Sequence, residues 1–195
     1  MEWGGELTKK IIATEFISLD GIMEDPGGAE KTKHGGWSGQ YWNEEAQKYK
    51  YDELFATDAL LLGRVTYEGF AQAWPSMTDD DGFAERMNSI KKYVISETLE
   101  DTKWNNSTLV KGNVIEQIAK LKQDAGQNMV IHGSAELINT LLPHQLIDEI
   151  RLMIFPIVQG CGKRLFKETT GTNHLKLLES KTFETGVMVL HYQLS

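Results

Sequence analysis

The chain has 195 residues, of which 41% are hydrophobic and 25% charged, the make-up of a folded globular protein with enough length for one self-sufficient core. Twenty Lys and Arg against 28 Asp and Glu give a net charge of −8, which argues against nucleic acid as a partner, because binding phosphate backbones needs a basic face. The single cysteine, Cys161, excludes an internal disulfide framework and a multi-cysteine zinc site, and it reads as a small buried residue.

Residues 1–8 carry no pattern and read as a flexible end, so one domain is expected over residues 9–195. The acids Glu2 and Glu6 and the short apolar run after Lys10 are unlike a signal peptide. No window approaches the ~20 apolar residues of a membrane helix, which makes the cytoplasm the expected location and the membrane an unexpected partner. Residues 10–17 (KIIATEFI) predict a strand buried on both faces. A Gly-rich, aromatic loop over residues 23–42 follows, long enough to suggest a functional lid. Residues 43–57 predict a helix capped by Asn43, with Ala46, Tyr49 or Lys50, and Leu54 near one stripe. Residues 58–62 form a short apolar strand that runs into Gly63-Arg64 and a helix over residues 66–73, ended by Trp74-Pro75. A short helix at residues 83–89 precedes strands at 92–96 and 107–110. Asn113 caps the next helix, which carries Val114, Ile118 and Leu121. Residues 128–132 (NMVIH) are a strand, and Gly133-Ser134 opens a helix stopped by Pro143. A long strand covers residues 147–156. The chain ends in a hairpin, residues 175–183 and 187–194, around Glu184-Thr185-Gly186.

This alternation predicts an α/β fold with a mostly parallel sheet covered on both faces and an antiparallel hairpin at its end. Ligands of such sheets lie beyond the carboxyl ends of the strands. That rule points to residues 18–21, 63–66, 96 and 132–134.

At Gly63-Arg64-Val65-Thr66 a glycine permits close backbone approach. A helix start offers unpaired N–H groups to an anion, Arg64 adds a fork suited to phosphate, and Thr66 could cap the helix. His132-Gly133-Ser134 repeats the arrangement, with an ordinary Ser cap as the alternative. One such corner suits one phosphate, and two on the same edge suit a dinucleotide. Neither GxGxxG nor GxxxxGK[ST] occurs. Ser96, at a strand end, could reach a ribose phosphate or simply form a turn. Asp20 leads the acids near the loop as a substrate-orienting or proton-delivering group. Glu44, Glu45, Asp52 and Glu53 read as solvated helix charges. Trp37 and Trp42 could stack on a ligand or pack the loop base. The scattered histidines lack metal-ligand spacing, so no metal is expected.

FISLDG (16–21), LLGRVTYEGF (61–70), YVIS (93–96), MVIHGSAELINTLL (129–142) and DEIRLMIFPIVQGCGKRLF (148–166), in this order, resemble the dihydrofolate-reductase-like superfamily. The nearest branch is the RibD C-terminal domain, the reductase part of the riboflavin-biosynthesis deaminase-reductase, with its stand-alone bacterial relatives. The resemblance implies a dihydrofolate-reductase-like mixed sheet of about eight strands and NADPH as cofactor. Gly63, Arg64 and Thr66 would hold its phosphates, and Ser96 would lie by the adenosine 2′-phosphate. Gly133, Ser134 and the helix start that includes Leu137 would cradle the pyrophosphate. In dihydrofolate reductases a cis Gly-Gly peptide follows the corresponding strand; here that pair is His132-Gly133. Their pterin-gripping acid falls near Gln47, which is not acidic, whereas Ser18 and Asp20 match the riboflavin branch and face the substrate side. The implied activity is an NADPH-dependent reductase acting on a C=N or C=O of a small heterocyclic or sugar-derived substrate. The alternatives are dihydrofolate reductase activity and a non-catalytic nucleotide-binding module. The resemblance also implies a homodimer through a sheet edge.

Overall fold

A computed structural model of the chain describes residues 9–124, 126–168 and 171–195; the expected flexible end, residues 1–8, lies outside them. The elements run β1 (Ile11–Ser18), α1 (Glu44–Phe55), β2 (Thr57–Gly63), α2 (Arg64–Ala73), α3 (Phe83–Ser89), β3 (Lys91–Ile95), β4 (Ser107–Val110), α4 (Val114–Gln123), β5 (Asn128–Ile131), α5 (Ala135–Leu141), β6 (Glu149–Phe155), β7 (Leu175–Thr182) and β8 (Met188–Leu194). The eight strands form one sheet in the order β4-β3-β2-β5-β1-β6-β8-β7. The first six are parallel, and β8 and β7 add an antiparallel edge. The fold is dihydrofolate-reductase-like, with an eight-stranded mixed sheet and a terminal hairpin.

The period-two alternation of β-strands divides the core. Ile11, Ala13, Leu61, Met129 and Ile131 pack with Ile118 of α4 and with Leu137, Ile138 and Leu141 of α5. Ile12, Leu60, Leu62 and Val130 pack on the other face with Leu54 of α1, Tyr67 of α2 and Met87 of α3. A third cluster joins Trp37, Ala46, Phe155, Phe183 and Val189 at the hairpin end. The caps at Asn43 and Asn113 form as the sequence suggests, each accepting a backbone N–H, from Ala46 and Glu116 respectively. Two local expectations fail. α2 begins at Arg64 with Gly63 as its N-cap, so Thr66 is already inside the helix and is not the cap. Cys161 is exposed rather than buried, because it sits in a glycine turn between sheet elements. No helix among the described residues is long and apolar enough to cross a membrane.

Candidate active site at a split in the sheet

β1 and β5 pair only at Ile11–Met129, Ile12–Val130 and Ala13–Ile131. β5 then ends, while β1 continues to Ser18 against β6 alone. On the other side β2 leaves β5 after Leu61–Ile131 and runs to Gly63 beside Ile95 of β3. Beyond Ile131 the sheet therefore parts. The chain leaves β1 and β2 for helices on one face and leaves β5 for α5 on the other. Divergent exits of this kind open a crevice at the carboxyl edge, where α/β sheets bind ligands.

The two glycine corners meet there. A Cβ on Gly63 would lie 2.8 Å from Ser134 Oγ, and one on Gly133 would lie 2.6 Å from Thr66 Oγ1. Gly133 has φ +59, and the cis peptide is Gly133–Ser134, one bond later than the expected His132–Gly133. Ser134 caps α5, its Oγ accepting from the Leu137 N–H at 3.3 Å. Leu137 contributes only that N–H, its side chain being core. Thr66 turns its hydroxyl toward Gly133. Arg64 opens α2, and its Nη1 donates to Glu68 Oε2 at 2.7 Å on the surface. Ser96 follows the strand residue paired with Gly63; its hydroxyl accepts the N–H groups of Thr98 and Leu99 and shapes that turn.

The substrate-side residues are placed differently from the expectation. Ser18 is fully buried; its hydroxyl donates to Asp20 Oδ1 at 2.6 Å and accepts the Ile22 N–H at 2.9 Å. The Asp20 carboxylate also accepts the N–H groups of Gln159 and Gly160. Those bonds, the Ser18 hydroxyl foremost, hold its pKa at about 2. Asp20 is thus an ionised clamp between two loops and not a proton store. Trp37 is 6% exposed, meets Phe155 edge-on at 5.3 Å and donates its indole N–H to the Glu24 carbonyl. It anchors the 23–42 loop and leaves no ring face for stacking. Trp42 is 43% exposed and lies 5.9 Å from the Phe16 ring, so it alone of the pair remains open to a ligand.

The sequence reading missed a buried ionisable cluster at the split. Glu15 is 5% exposed, and its Oε1 accepts the Gly133 N–H at 2.7 Å. Across β1, α1 turns Lys50 and Glu53 inward as a buried ion pair, and Lys50 Nζ also reaches Thr14 Oγ1 at 3.3 Å. Arg151 of β6 lies 3.4 Å from Glu53. Burial opposes ionisation of Glu53, but Lys50, His132 and Arg151 outweigh it and hold the pKa at about 2. Burial lowers His132 to about 3, with Lys50 adding to the effect. Burial raises Glu15 to about 8 against the opposing Gly133 bond and Lys50. The available signal was a charge inside an otherwise apolar strand, and Lys50 and Glu53 on the same stripe as Ala46 and Leu54. Gln47, near which the resemblance to dihydrofolate reductases would put their pterin-gripping acid, donates to Asp81 at the surface.

A sequence profile of the RibD C-terminal domain family matches residues 9–189. The uncharacterized protein YyaP of Bacillus subtilis strain 168 is 35% identical over 144 residues, 72% of this chain and 76% of YyaP. A Shewanella sp. PV-4 crystal structure, of a protein provisionally assigned to riboflavin biosynthesis, aligns with TM-score 0.74 at 22% identity, covering 95% of this chain and 99% of that one. Dihydrofolate reductase from Enterococcus faecalis, complexed with NADP(H), aligns with TM-score 0.60 at 14% identity over 95% and 96% of the two chains.

Proposed function

Because the chain belongs to the RibD C-terminal domain family, we propose that it is an NADPH-dependent reductase acting on a C=N or C=O of a small heterocyclic or sugar-derived substrate. The observation that carries this reading is the contact of the Gly63 and Gly133–Ser134 corners. Two turns this close crowd a Cβ at either glycine and bring their backbones together beside one crevice, which fits a diphosphate. The first N–H groups of α2 have no intrahelical partner and can bind phosphate oxygens. Arg64 supplies the cation. Its present partner Glu68 is exposed, and such pairs are weak enough to exchange. Ser96 lies at the neighbouring strand end. Bound there, NADPH would supply the hydride. Trp42 and Phe16 would flank the substrate, and the Asp20 clamp, with Ser18 beneath it, would hold the substrate-side loops in place. Folate is the less favoured substrate, because the buried acid of α1, Glu53, is already neutralised by Lys50 and is not free to grip a pterin.

Titration of the protein with NADPH and NADH, followed by nicotinamide fluorescence, tests this reading. Micromolar NADPH binding is expected, and Arg64→Ala should weaken NADPH about tenfold, ~1.4 kcal/mol, with a smaller effect on NADH. Failure to bind either nucleotide would remove the reading. We also propose a homodimer through β7. It is an edge strand exposed along its whole length and carries Leu175, Leu177 and Leu178, and an unpaired edge of this kind pairs readily with a second copy. Sedimentation equilibrium of Leu177→Glu should show more monomer than the parent.

A further inference from the structure

We propose that Glu15 is the proton donor of the reaction, passing the proton from its Oε2 at the floor of the crevice to the substrate nitrogen or oxygen. This rests on the reductase reading. Three observations point to Glu15. It lies on β1 beyond the last β1–β5 pair, where no strand covers that side. One oxygen is fixed by Gly133, a residue of the glycine corner itself. The other has no hydrogen-bond partner among the described residues, although the residue is only 5% exposed. A carboxylate enclosed this way with one donor is poorly solvated, whereas the neutral acid keeps an O–H to offer.

The charged and titratable groups around it leave the proton in place. Lys50 and Glu53 of α1 are paired with each other, Arg151 of β6 leans on Glu53, and His132 at the end of β5 is held neutral. With burial as the largest cause, the Glu15 pKa rises to about 8, close to the value a general acid needs at neutral pH. Asp20 cannot serve, since both of its oxygens are occupied and it stays ionised. The step balances. As the substrate carbon would gain a hydride from bound NADPH, itself oxidised to NADP+, the π pair of C=X would move to X. X then bonds the Glu15 proton, and the O–H electrons remain on the carboxylate. Water restores the acid after product leaves.

The test uses the full chain, Glu15→Gln and Glu15→Asp. In protein labelled with 13C at the glutamate carboxyl, one resonance should titrate near pH 8 and be absent from Glu15→Gln. The NADPH affinity of Glu15→Gln should stay within about twofold of the parent. With 2-methyl-1-pyrroline, glyceraldehyde and dihydrofolate as probes, Glu15→Gln should lower kcat roughly 10²- to 10⁴-fold with KM little changed and should lose the alkaline limb; Glu15→Asp should recover part of the rate. A Glu15 carboxyl already ionised at pH 6, or Glu15→Gln turning over a probe at the parent rate, would overturn the proposal while NADPH binding stands. No NADPH binding by the parent would instead remove the reductase reading beneath it.

Discussion

Gly63 and Gly133 close the same contact but depend on it differently. Gly133 sits at φ +59, and its missing Cβ would meet Thr66 Oγ1 at 2.6 Å. Gly133→Ala therefore carries both backbone strain, ~1–3 kcal/mol, and a clash that separates the corners. Gly63 has an ordinary φ of −72, and its Cβ would meet only the Ser134 hydroxymethyl. Gly63→Ala should cost about 1 kcal/mol, through loss of the Ser134 cap as that side chain turns away. Thermal unfolding and NADPH titration of the two variants check this, and Gly63→Ala proving the more damaging would contradict it. Both corners were legible because a glycine at a strand end followed by a helix is a local pattern. Asp20 was not, because its clamp partners, Gln159 and Gly160, lie 139 and 140 residues away in sequence. Its Asp-Gly dipeptide announces a turn and says nothing of where the carboxylate goes.

At the scale of one element, α1 shows how a helix can look solvated and be partly core. Its charged composition suggested surface, yet Ala46, Lys50, Glu53 and Leu54 form its buried face. The cap at Asn43 and the stripe were readable. That the two inward charges neutralise each other was not, since it depends on Thr14 of β1 and Arg151 of β6 lying beside them. A buried pair broken on one side leaves an uncompensated charge, at a cost of ~3–5 kcal/mol, whereas replacing both members by apolar groups is often close to neutral. Lys50→Met should thus destabilise strongly, toward the lower end because Arg151 still faces Glu53, and Lys50→Met with Glu53→Leu should recover most of the loss. Urea unfolding of the four proteins of this cycle measures it. Additive single effects would show that the pair is not the unit.

For the whole molecule, the alternation of strand and helix was enough to read a mostly parallel sheet with a terminal hairpin. The insertion of β5 between β1 and β2 was not legible, because strand order is a long-range choice that periodicity does not encode. That insertion creates the split and gathers the buried Glu15 and Glu53 and the half-buried His132 around it, and it leads to a stability profile. His132 is held at about 3 in the folded state against an ordinary 6.5. As pH falls from 6.5, the unfolded chain takes up a proton the folded one refuses, and stability drops. Glu53, at about 2 against 4.5, adds a further loss below 4.5. Glu15 has the opposite sign: at about 8 against 4.5, the folded state keeps a proton the unfolded chain has released, so stability falls as pH rises through that window. Each whole proton corresponds to at most about 1.4 kcal/mol per pH unit. Between 4.5 and 6.5 the His132 and Glu15 slopes oppose and nearly cancel, which predicts a plateau there with decline on both sides. Glu15→Gln should remove the decline between 6.5 and 8, and His132→Asn should tilt the plateau downward with rising pH. Urea midpoints measured from pH 4 to 9 read all three profiles, and a Glu15→Gln curve parallel to the parent's above pH 6.5 would mean that Glu15 is ionised in the folded protein.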